Sequence, residues 1–210
     1  MNITIVCDVL GEANNGTTLA AMNLIGYLKE KGHQVTVLCP DQDKLGLPGY
    51  AVMPTWDLGI FNGYVASNGV SLAKPEDSVI SRAIRDADIV HVMLPFPLGR
   101  RAIYLAKQQG IPVSSGFHVM AENVSSHVFL QNCAPANRAI YAYFSKAYRQ
   151  VDAIHYPTQF LRDLYEKMYG KTNGYVISNG VNSTFQPRPA EKPQKMQDKF
   201  VILTTGRYSK

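Results

Sequence analysis

Short runs of apolar and β-branched residues alternate along the chain with longer stretches in which apolar residues recur every three or four positions. The first pattern is typical of buried strands and the second of amphipathic helices, and their alternation predicts a parallel sheet covered by helices. Strands are predicted at 2–7, 34–39, 50–53, 64–67, 88–93, 112–116, 152–156 and 175–177, and helices at 17–31, 74–85, 98–109, 134–150 and 158–169. We therefore expect an α/β fold built on a doubly wound parallel sheet.

The first predicted helix ends in a clear stop signal, Lys31 followed by Gly32, which combines a cation in the last turn with a glycine free to adopt a left-handed cap. Its apolar residues recur at helical spacing, which favours a helix here. These residues are Leu19, Met22, Leu24, Ile25 and Leu28.

The composition changes after residue 186. Residues 187–198 are rich in proline and polar residues and predict a linker, whereas residues 199–205 are apolar and predict a new buried strand. We therefore expect one domain at 1–186, a linker at 187–198, and at 199–210 the first strand of a second, truncated domain.

Composition and charge indicate a folded protein, but they do not identify its binding partner. Hydrophobic residues make up 46% of the chain and charged residues 18%, with a formal net charge of +5. Cys7 and Cys39 lie in apolar strands, and neither they nor Cys133 form a metal-binding pattern, which indicates free thiols and a cytoplasmic protein. The N-terminus carries no signal-peptide pattern, and no apolar run approaches the roughly 20 residues that span a bilayer.

The loop at 11–18 joins the first strand to the first helix, at the sheet edge where ligands bind in doubly wound folds. Gly16 permits a close backbone approach, and the free N–H groups at the helix start, where Thr17 lies, favour an anion. The same residues also fit a plain capped turn with Thr17 as N-cap. The loop lacks G-x-G-x-x-G, which argues against a nicotinamide cofactor.

Candidate site residues follow the predicted central strand at 112–116. His118 comes just after that strand and is followed by Glu122, Asn123 and His127. Imidazole, carboxylate and amide groups converging at a crevice suit the binding of a polyol, although a solvated loop has the same composition. His91 lies near the end of another predicted strand, and this position favours a structural role for its imidazole.

The helix around 137–149 combines aromatic residues with cations. Ile140, Phe144 and Tyr148 are spaced four apart, which is typical of a stripe that faces the core. A membrane-surface role for this helix is the alternative.

Together these segments resemble the N-terminal domain of the GT-B glycosyltransferases, and more narrowly their retaining family four, also called glycosyltransferase group 1. The resemblance covers nearly the whole chain, in a fixed order and spacing. It is carried by Gly16 with 28–38, by 87–91 with 95–99, by 110–113 with 117–118, by 177–182 with 185 and 187, and by 205–210.

The resemblance implies a Rossmann-like domain that forms the acceptor-side half of the enzyme. It implies that Gly16 and Thr17 lie beside the donor diphosphate, that His118 lies beside the transferred sugar, and that Arg207 grips the diphosphate. It also implies an interdomain hinge at Asn179 and Gly180, no required metal, and no cofactor beyond a UDP- or GDP-sugar donor.

The hypothesis for the whole protein is retaining transfer of a hexose from a nucleotide diphosphate sugar to a glycan or lipid acceptor. Glu122, Asn123 and His127 are the expected acceptor contacts, and this chain alone is expected to be inactive. Expected partners include an anionic membrane surface at the inner face of the membrane but no nucleic acid. Two alternatives stay open: a self-contained flavodoxin-like or nucleotide-binding module, and a membrane-docking or partner-binding domain without catalysis.

Overall fold

A seven-stranded parallel sheet organises the protein. The structure, a computed structural model, describes residues 1–8, 10, 16–57, 59, 62–63, 72–180, 186, 189, 191–202 and 204. The strand order is β3-β2-β1-β4-β5-β6-β7, and every neighbouring pair is parallel. This order contains the 3-2-1-4-5-6 arrangement of Rossmann folds and not the 2-1-3-4-5 arrangement of flavodoxins. The Rossmann-like prediction is confirmed, and the flavodoxin-like alternative is wrong.

The element bounds follow the sequence prediction within a few residues. The strands are β1 Asn2–Val6, β2 Gln34–Cys39, β3 Tyr50–Val52, β4 Ile89–Val92, β5 Val113–Gly116, β6 Ala153–Tyr156 and β7 Gly174–Val176. The helices are α1 Gly16–Glu30, α2 Asp77–Ile84, α3 Pro97–Gln108, α4 Ala121–Ser126, α5 Ala134–Tyr148 and α6 Gln159–Tyr169. The six-residue α4 was not predicted, and the strand predicted at 64–67 lies outside the described residues.

Helices cover both faces of the sheet. On one face α1 packs over β1 and β2, where Ala21 and Ile25 share a buried cluster with Ile5 and Val37. On the other face α2 packs over β2 and β3, and α3 packs over β1, β4 and β5. The aromatic residues of α5 and α6 bury Phe117 on this second side. Consecutive strand residues point to opposite faces, so this arrangement accounts for the nearly continuous apolar character of the strands.

The packed face of α1 carries two small residues and one large one. Thr18, Ala21 and Ile25 are the buried residues of this helix, whereas Leu19 and Met22 are 46% and 42% exposed. The contact with the sheet therefore runs through Thr18, Ala21 and Ile25, while Leu19 and Met22 stay about half exposed.

The chain divides into two compact units, Met1–Asn179 and Gly180–Lys210. In the second unit the described residues form a short 3-10 helix at Gln194–Met196. Residues 199–202 and 204 form no strand, so the predicted strand is absent from this part of the chain. A strand needs a neighbouring strand for its hydrogen bonds, and Phe200 and Ile202 are 91% and 83% exposed. The proposed boundaries at 186 and 198 stay predictions.

Candidate functional site

The strand order reverses between β1 and β4, which run side by side. In open α/β sheets this reversal opens a crevice beyond the carboxyl ends of the strands, where ligands bind. Asp8 lies just past β1, Gly16 begins the helix that follows it, and His118 lies just past β5. Strands are about 4.8 Å apart, so the axes of β1 and β5, separated by β4, lie about 10 Å from each other.

Asp8 caps a helix that is distant in sequence. Its carboxylate oxygens accept hydrogen bonds from the backbone N–H groups of Leu98, at 3.3 Å, and Gly99, at 3.2 Å. These are unpaired N–H groups of the first turn of α3, whose own N-cap residue, Phe96, provides no side-chain acceptor. Burial raises the pKa of the Asp8 carboxyl to about 7, although the two hydrogen bonds oppose the shift.

Gly99 permits this contact. A Cβ atom at this position would lie 2.1 Å from the carbonyl oxygen of Leu94 and 2.6 Å from Cγ1 of Val92. The N-terminus of α3 therefore sits directly against the end of β4, and this close approach brings its N–H groups within reach of Asp8.

His118 folds back over the end of its own strand. A Cβ atom at Gly116 would lie 2.2 Å from Nε2 of His118, so the imidazole occupies the space that a side chain at 116 would fill. The His118 ring also makes an edge contact with His155 of β6, with 5.4 Å between the ring centroids. Burial, with a smaller effect of His155, lowers the pKa of His118 to about 4. The imidazole is therefore neutral near pH 7.

Two further histidines extend this group along the sheet. His91 Nδ1 lies 2.9 Å from Ser114 Oγ, and His155 Nε2 lies 2.6 Å from the carbonyl oxygen of Ile177. Burial lowers the pKa of His91 to about 3, and charges on His118 and His155 would add to the shift. The buried His91, paired with Ser114, fits the structural role predicted for it.

Gly16 and Thr17 form the first turn of α1. Gly16 is exposed, and a Cβ atom there would meet no described residue within 4 Å. The first turn of α1 carries no acidic residue, so the positive end of the helix dipole is not neutralised from within the helix. No contact within the described part of the chain requires glycine at position 16.

The predicted acceptor residues lie on and beside α4. Glu122 accepts a hydrogen bond of 2.8 Å from the hydroxyl of Tyr141, which ties α4 to α5. Burial and this carboxylate raise the pKa of Tyr141. Asn123 and His127 are exposed. Glu122 is thus already engaged by Tyr141, whereas the side chains of Asn123 and His127 are open to solvent.

The stripe on α5 faces the core. Phe144 and Tyr148 are buried, and Ile140 packs against the same aromatic cluster. The core interpretation of this stripe is therefore confirmed.

The remaining site predictions lie at or beyond the end of the first unit. Arg207 lies outside the described residues. Asn179 and Gly180 flank the point where the chain divides, and Gly180 has a φ of 70°. Their function as a hinge stays a prediction.

A search of the described residues finds neither a helix long and apolar enough to cross a membrane nor a group of three potential metal ligands. A cavity of about 250 Å³ lies between α5, α6 and the start of β6, and its walls include Arg149, Val151 and Lys171. These residues lie at the amino edge of the sheet, away from His118.

Sequence reasoning missed Asp8, Gly99, Gly116 and His155. The sequence did contain one indication of the Asp8 contact. Pro97 begins a helix, yet Phe96 before it has no side-chain acceptor, so the N–H groups of the first turn were left for an acceptor from elsewhere. Nothing in the sequence indicates that this partner is Asp8, because the two segments lie about 90 residues apart.

Comparison with solved structures supports the fold. The chain resembles a putative UDP-N-acetylglucosamine 2-epimerase from Listeria monocytogenes, with a TM-score of 0.51, 13% identity, and coverage of 83% of this chain and 44% of the other. It also matches MurG of Acinetobacter baumannii, with a TM-score of 0.41, 16% identity and coverage of 74% and 40%. A UGT transferase from Siraitia grosvenorii in complex with UDP matches with a TM-score of 0.46, 13% identity and coverage of 87% and 52%. The chain thus spans about half the length of these proteins or less.

No curated protein matches the chain. The model of Glycosyltransferase Family 4 matches residues 14–185, which include α1, the whole of β2 to β7, and His118. This match and the strand order confirm the predicted resemblance to the N-terminal domain of a GT-B enzyme. The chain belongs to Glycosyltransferase Family 4.

Proposed function

We propose that this chain is the acceptor-side half of a retaining glycosyltransferase that uses a nucleotide diphosphate sugar, either a UDP- or a GDP-sugar. The observation that carries the proposal is the placement of His118. In a chain of this family, its imidazole is held against Gly116 at the sheet edge, two strands from the first turn of α1. An imidazole and a helix N-terminus at one edge of the sheet suit the sugar and the diphosphate of such a donor, respectively.

The first turn of α1 binds the donor diphosphate in this proposal. The N–H groups of Gly16 and Thr17 lie at the positive end of the helix dipole, and no side chain of the described residues comes within 4 Å of a Cβ atom placed at Gly16. Negative charge builds up on the diphosphate as it leaves, so these groups bind the transition state more tightly than the ground state. Arg207 is the proposed second contact to the same diphosphate.

His118 positions the transferred sugar. Because its pKa is about 4, the imidazole is neutral at physiological pH and both donates and accepts hydrogen bonds. A neutral imidazole suits a sugar hydroxyl better than it suits the delivery of a proton. The transfer then depends on positioning of the two substrates and on stabilisation of the leaving diphosphate.

The acceptor binds beside α4 in this proposal. Asn123 and His127 are exposed there, and Glu122 is oriented by Tyr141. Amide, imidazole and carboxylate groups suit the hydroxyl groups of a glycan or glycolipid, for which a precursor of a surface polysaccharide is our proposal. Such an acceptor places the enzyme in the cytoplasm, at the inner face of the membrane, and Asn179 and Gly180 serve as the hinge to the donor-binding half.

Transfer assays test this proposal directly. The 210-residue chain alone should release no nucleoside diphosphate from UDP- or GDP-sugars, because most donor contacts belong to the other half. The longer protein that contains it should transfer the sugar, and NMR of the product should show the anomeric configuration of the donor. Transfer by the chain alone, or an inverted product, would contradict the proposal. Conversion of the free nucleotide sugar into an isomer would assign the site to another reaction.

Substitution of Gly16 by alanine separates a ligand contact from a structural turn. The added Cβ comes within 4 Å of none of the described residues and α1 is helical there, so the free energy of unfolding should stay constant or rise by about 0.4–1 kcal/mol, with a small matching rise in the thermal midpoint. In the longer protein the Kd for the nucleotide sugar should rise by roughly tenfold, the equivalent of about one charge-assisted hydrogen bond.

The matched control is Gly26→Ala in the same helix, whose added Cβ also meets nothing within 4 Å. It should leave nucleotide binding unchanged when measured by calorimetry. Equal nucleotide affinities for Gly16→Ala and Gly26→Ala would remove Gly16 from the donor site.

A further inference from the structure

A cavity opens at the amino edge of the sheet, where the end of α5, the helix α6 and the segments that lead into β6 and β7 meet. Its volume is about 250 Å³. Because an apolar cavity of roughly 150 Å³ holds one benzene molecule, this one has room for a single ring with one further small group. His118 lies past the other end of β5, at the carboxyl edge, so the cavity is separate from the candidate site described above.

Three tyrosines form the aromatic part of the cavity wall. They are Tyr148, Tyr165 and Tyr169. Their rings pack on one another, with centroids 5.4 Å apart for Tyr148 and Tyr165 and 5.2 Å apart for Tyr165 and Tyr169. A packed group of this kind gives the cavity a fixed aromatic surface, on which a second ring can lie.

The hydroxyl of Tyr165 lacks a protein partner. Tyr165 is 1% exposed and lines the cavity, yet no residue in the described part of the chain forms a hydrogen bond with its hydroxyl. The hydroxyl of the neighbouring Tyr148, by contrast, donates a 3.2 Å hydrogen bond to the carbonyl oxygen of Gly116. Buried tyrosine hydroxyls are normally paired, so the hydroxyl of Tyr165 calls for an acceptor inside the cavity.

Two cations adjoin the tyrosines. Arg149 and Lys171 line the cavity, both are exposed, and neither forms an ion pair with a carboxylate that the structure describes. Burial raises the pKa of Tyr165 and of Tyr169, and the positive charge of Arg149 opposes the rise in both. The guanidinium of Arg149 therefore lies close to these two side chains, and one wall combines positive charge with aromatic surface.

The carboxylates next to the wall residues in the sequence are already occupied. Glu166 accepts a 2.7 Å hydrogen bond from the hydroxyl of Thr172 and pairs with Arg162 at 3.1 Å. Asp152 pairs with Lys107 at 2.7 Å. Neither carboxylate is thus left to neutralise the two cations of the cavity, and a bound anion would do so.

We propose that this cavity binds a small anion in which a phosphate or a carboxylate is attached to a single ring. The acid group contacts the guanidinium of Arg149 and the ammonium of Lys171, which both suit such oxygens. The ring packs on the tyrosines, and Tyr165 donates its hydrogen bond to the ligand. The inference goes beyond the proposed function, because the cavity lies at the opposite edge of the sheet and is smaller than the roughly 300–1,000 Å³ of typical ligand pockets. It can therefore fail while glycosyl transfer stands.

Calorimetric titration of the chain with four probes tests the proposed chemistry. Phenyl phosphate carries the ring and a phosphate, benzoate the ring and a carboxylate, phenol the ring alone, and inorganic phosphate the acid group alone. At least one of the first two should bind at least tenfold more tightly than phenol and than inorganic phosphate, and their order tells which acid group the cavity prefers. No binding of either at millimolar concentration, or equal binding of phenol or inorganic phosphate, would overturn the proposal.

A charge variant places the ligand in the cavity. Arg149→Gln with Lys171→Gln should weaken binding of the tighter probe by about tenfold or more, since both charge-assisted contacts are lost. Arg82→Gln with Arg85→Gln removes two exposed cations from the segment that contains α2 and should leave the affinity unchanged. Equal affinities for the two double variants would show that the probe does not bind between Arg149 and Lys171.

Tyr165→Phe separates a ligand contact from a structural role. The ring is kept, and the lost hydroxyl has no protein partner in the described part of the chain, so the thermal midpoint should stay constant or rise. The affinity for the tighter probe should fall by roughly threefold to tenfold, as expected for one hydrogen bond. A lower midpoint with unchanged affinity would assign the hydroxyl to the fold and contradict its contact with a ligand.

Discussion

Lowering the pH from 6.5 to about 4 is expected to reduce the free energy of unfolding of this chain through His91 and His118. Burial lowers the pKa of His91 to about 3 and that of His118 to about 4, from the ordinary histidine value of 6.5. Between these values the unfolded chain binds a proton at each imidazole while the folded chain does not. Each such proton lowers stability by about 1.4 kcal/mol per pH unit. The stability from both histidines is complete above pH 6.5 and is lost as the pH falls.

Asp8 acts in the opposite direction over the same range. Its pKa is raised from 3.8 to about 7 in the folded chain, so the folded state holds a proton that the unfolded state has released. The contribution of Asp8 to stability is therefore greatest at low pH and is lost as the pH rises through 7. The two imidazoles act in one direction and the carboxyl in the other, so the net difference between the unfolded and folded chain is one bound proton. The free energy of unfolding should therefore rise by about 1.4 kcal/mol per pH unit between pH 4 and 6.5.

Urea unfolding at several pH values measures this slope. His91→Asn keeps a polar partner near Ser114 but cannot titrate, so it should flatten the dependence almost completely. Asp8→Asn removes the opposing group and should roughly double the slope. If both variants show the slope of the unaltered chain, the buried groups do not control its pH dependence and other residues must.

The parts of the fold that sequence predicted well are those that local patterns determine. β2 and α6 follow directly from apolar runs bounded by Pro40 and by Thr158, whose hydroxyl accepts the N–H of Leu161. The short α4 was missed because six residues give too weak a period. Its packing comes from Tyr141, which lies 19 residues further along the chain from Glu122.

The position of the candidate site could be predicted from the sequence, but the contacts between its residues could not. His118 follows a central strand, and strand ends of a parallel sheet meet at one edge, so its location could be inferred. The cap that Asp8 provides, and the place of the His118 ring over Gly116, depend on how distant or neighbouring segments approach in space. The face of α1 that packs on the sheet could not be read from spacing alone, since Thr18 and Ala21 are buried there with Ile25.

Gly99→Ala is expected to destabilise the chain by about 3 kcal/mol, even though alanine favours helices by about 1 kcal/mol over glycine. The new Cβ would lie 2.1 Å from the carbonyl oxygen of Leu94 and 2.6 Å from a methyl group of the buried Val92. Neither atom can move freely, so α3 must shift outward. The shift would weaken both hydrogen bonds to Asp8 and the packing of Leu98, which is fully buried.

The measured result should be a fall of roughly 10 °C in the thermal midpoint, given about 2–4 °C per kcal/mol for a chain of this size. Gly26→Ala makes the same chemical change within α1, where the Cβ meets nothing within 4 Å, and should raise the midpoint slightly. Opposite signs for one substitution in two helices would tie the effect to the contact between α3 and the end of β4. A Gly99→Ala chain as stable as the Gly26→Ala chain would show that this contact is looser than its geometry indicates, and that Asp8 does not depend on it.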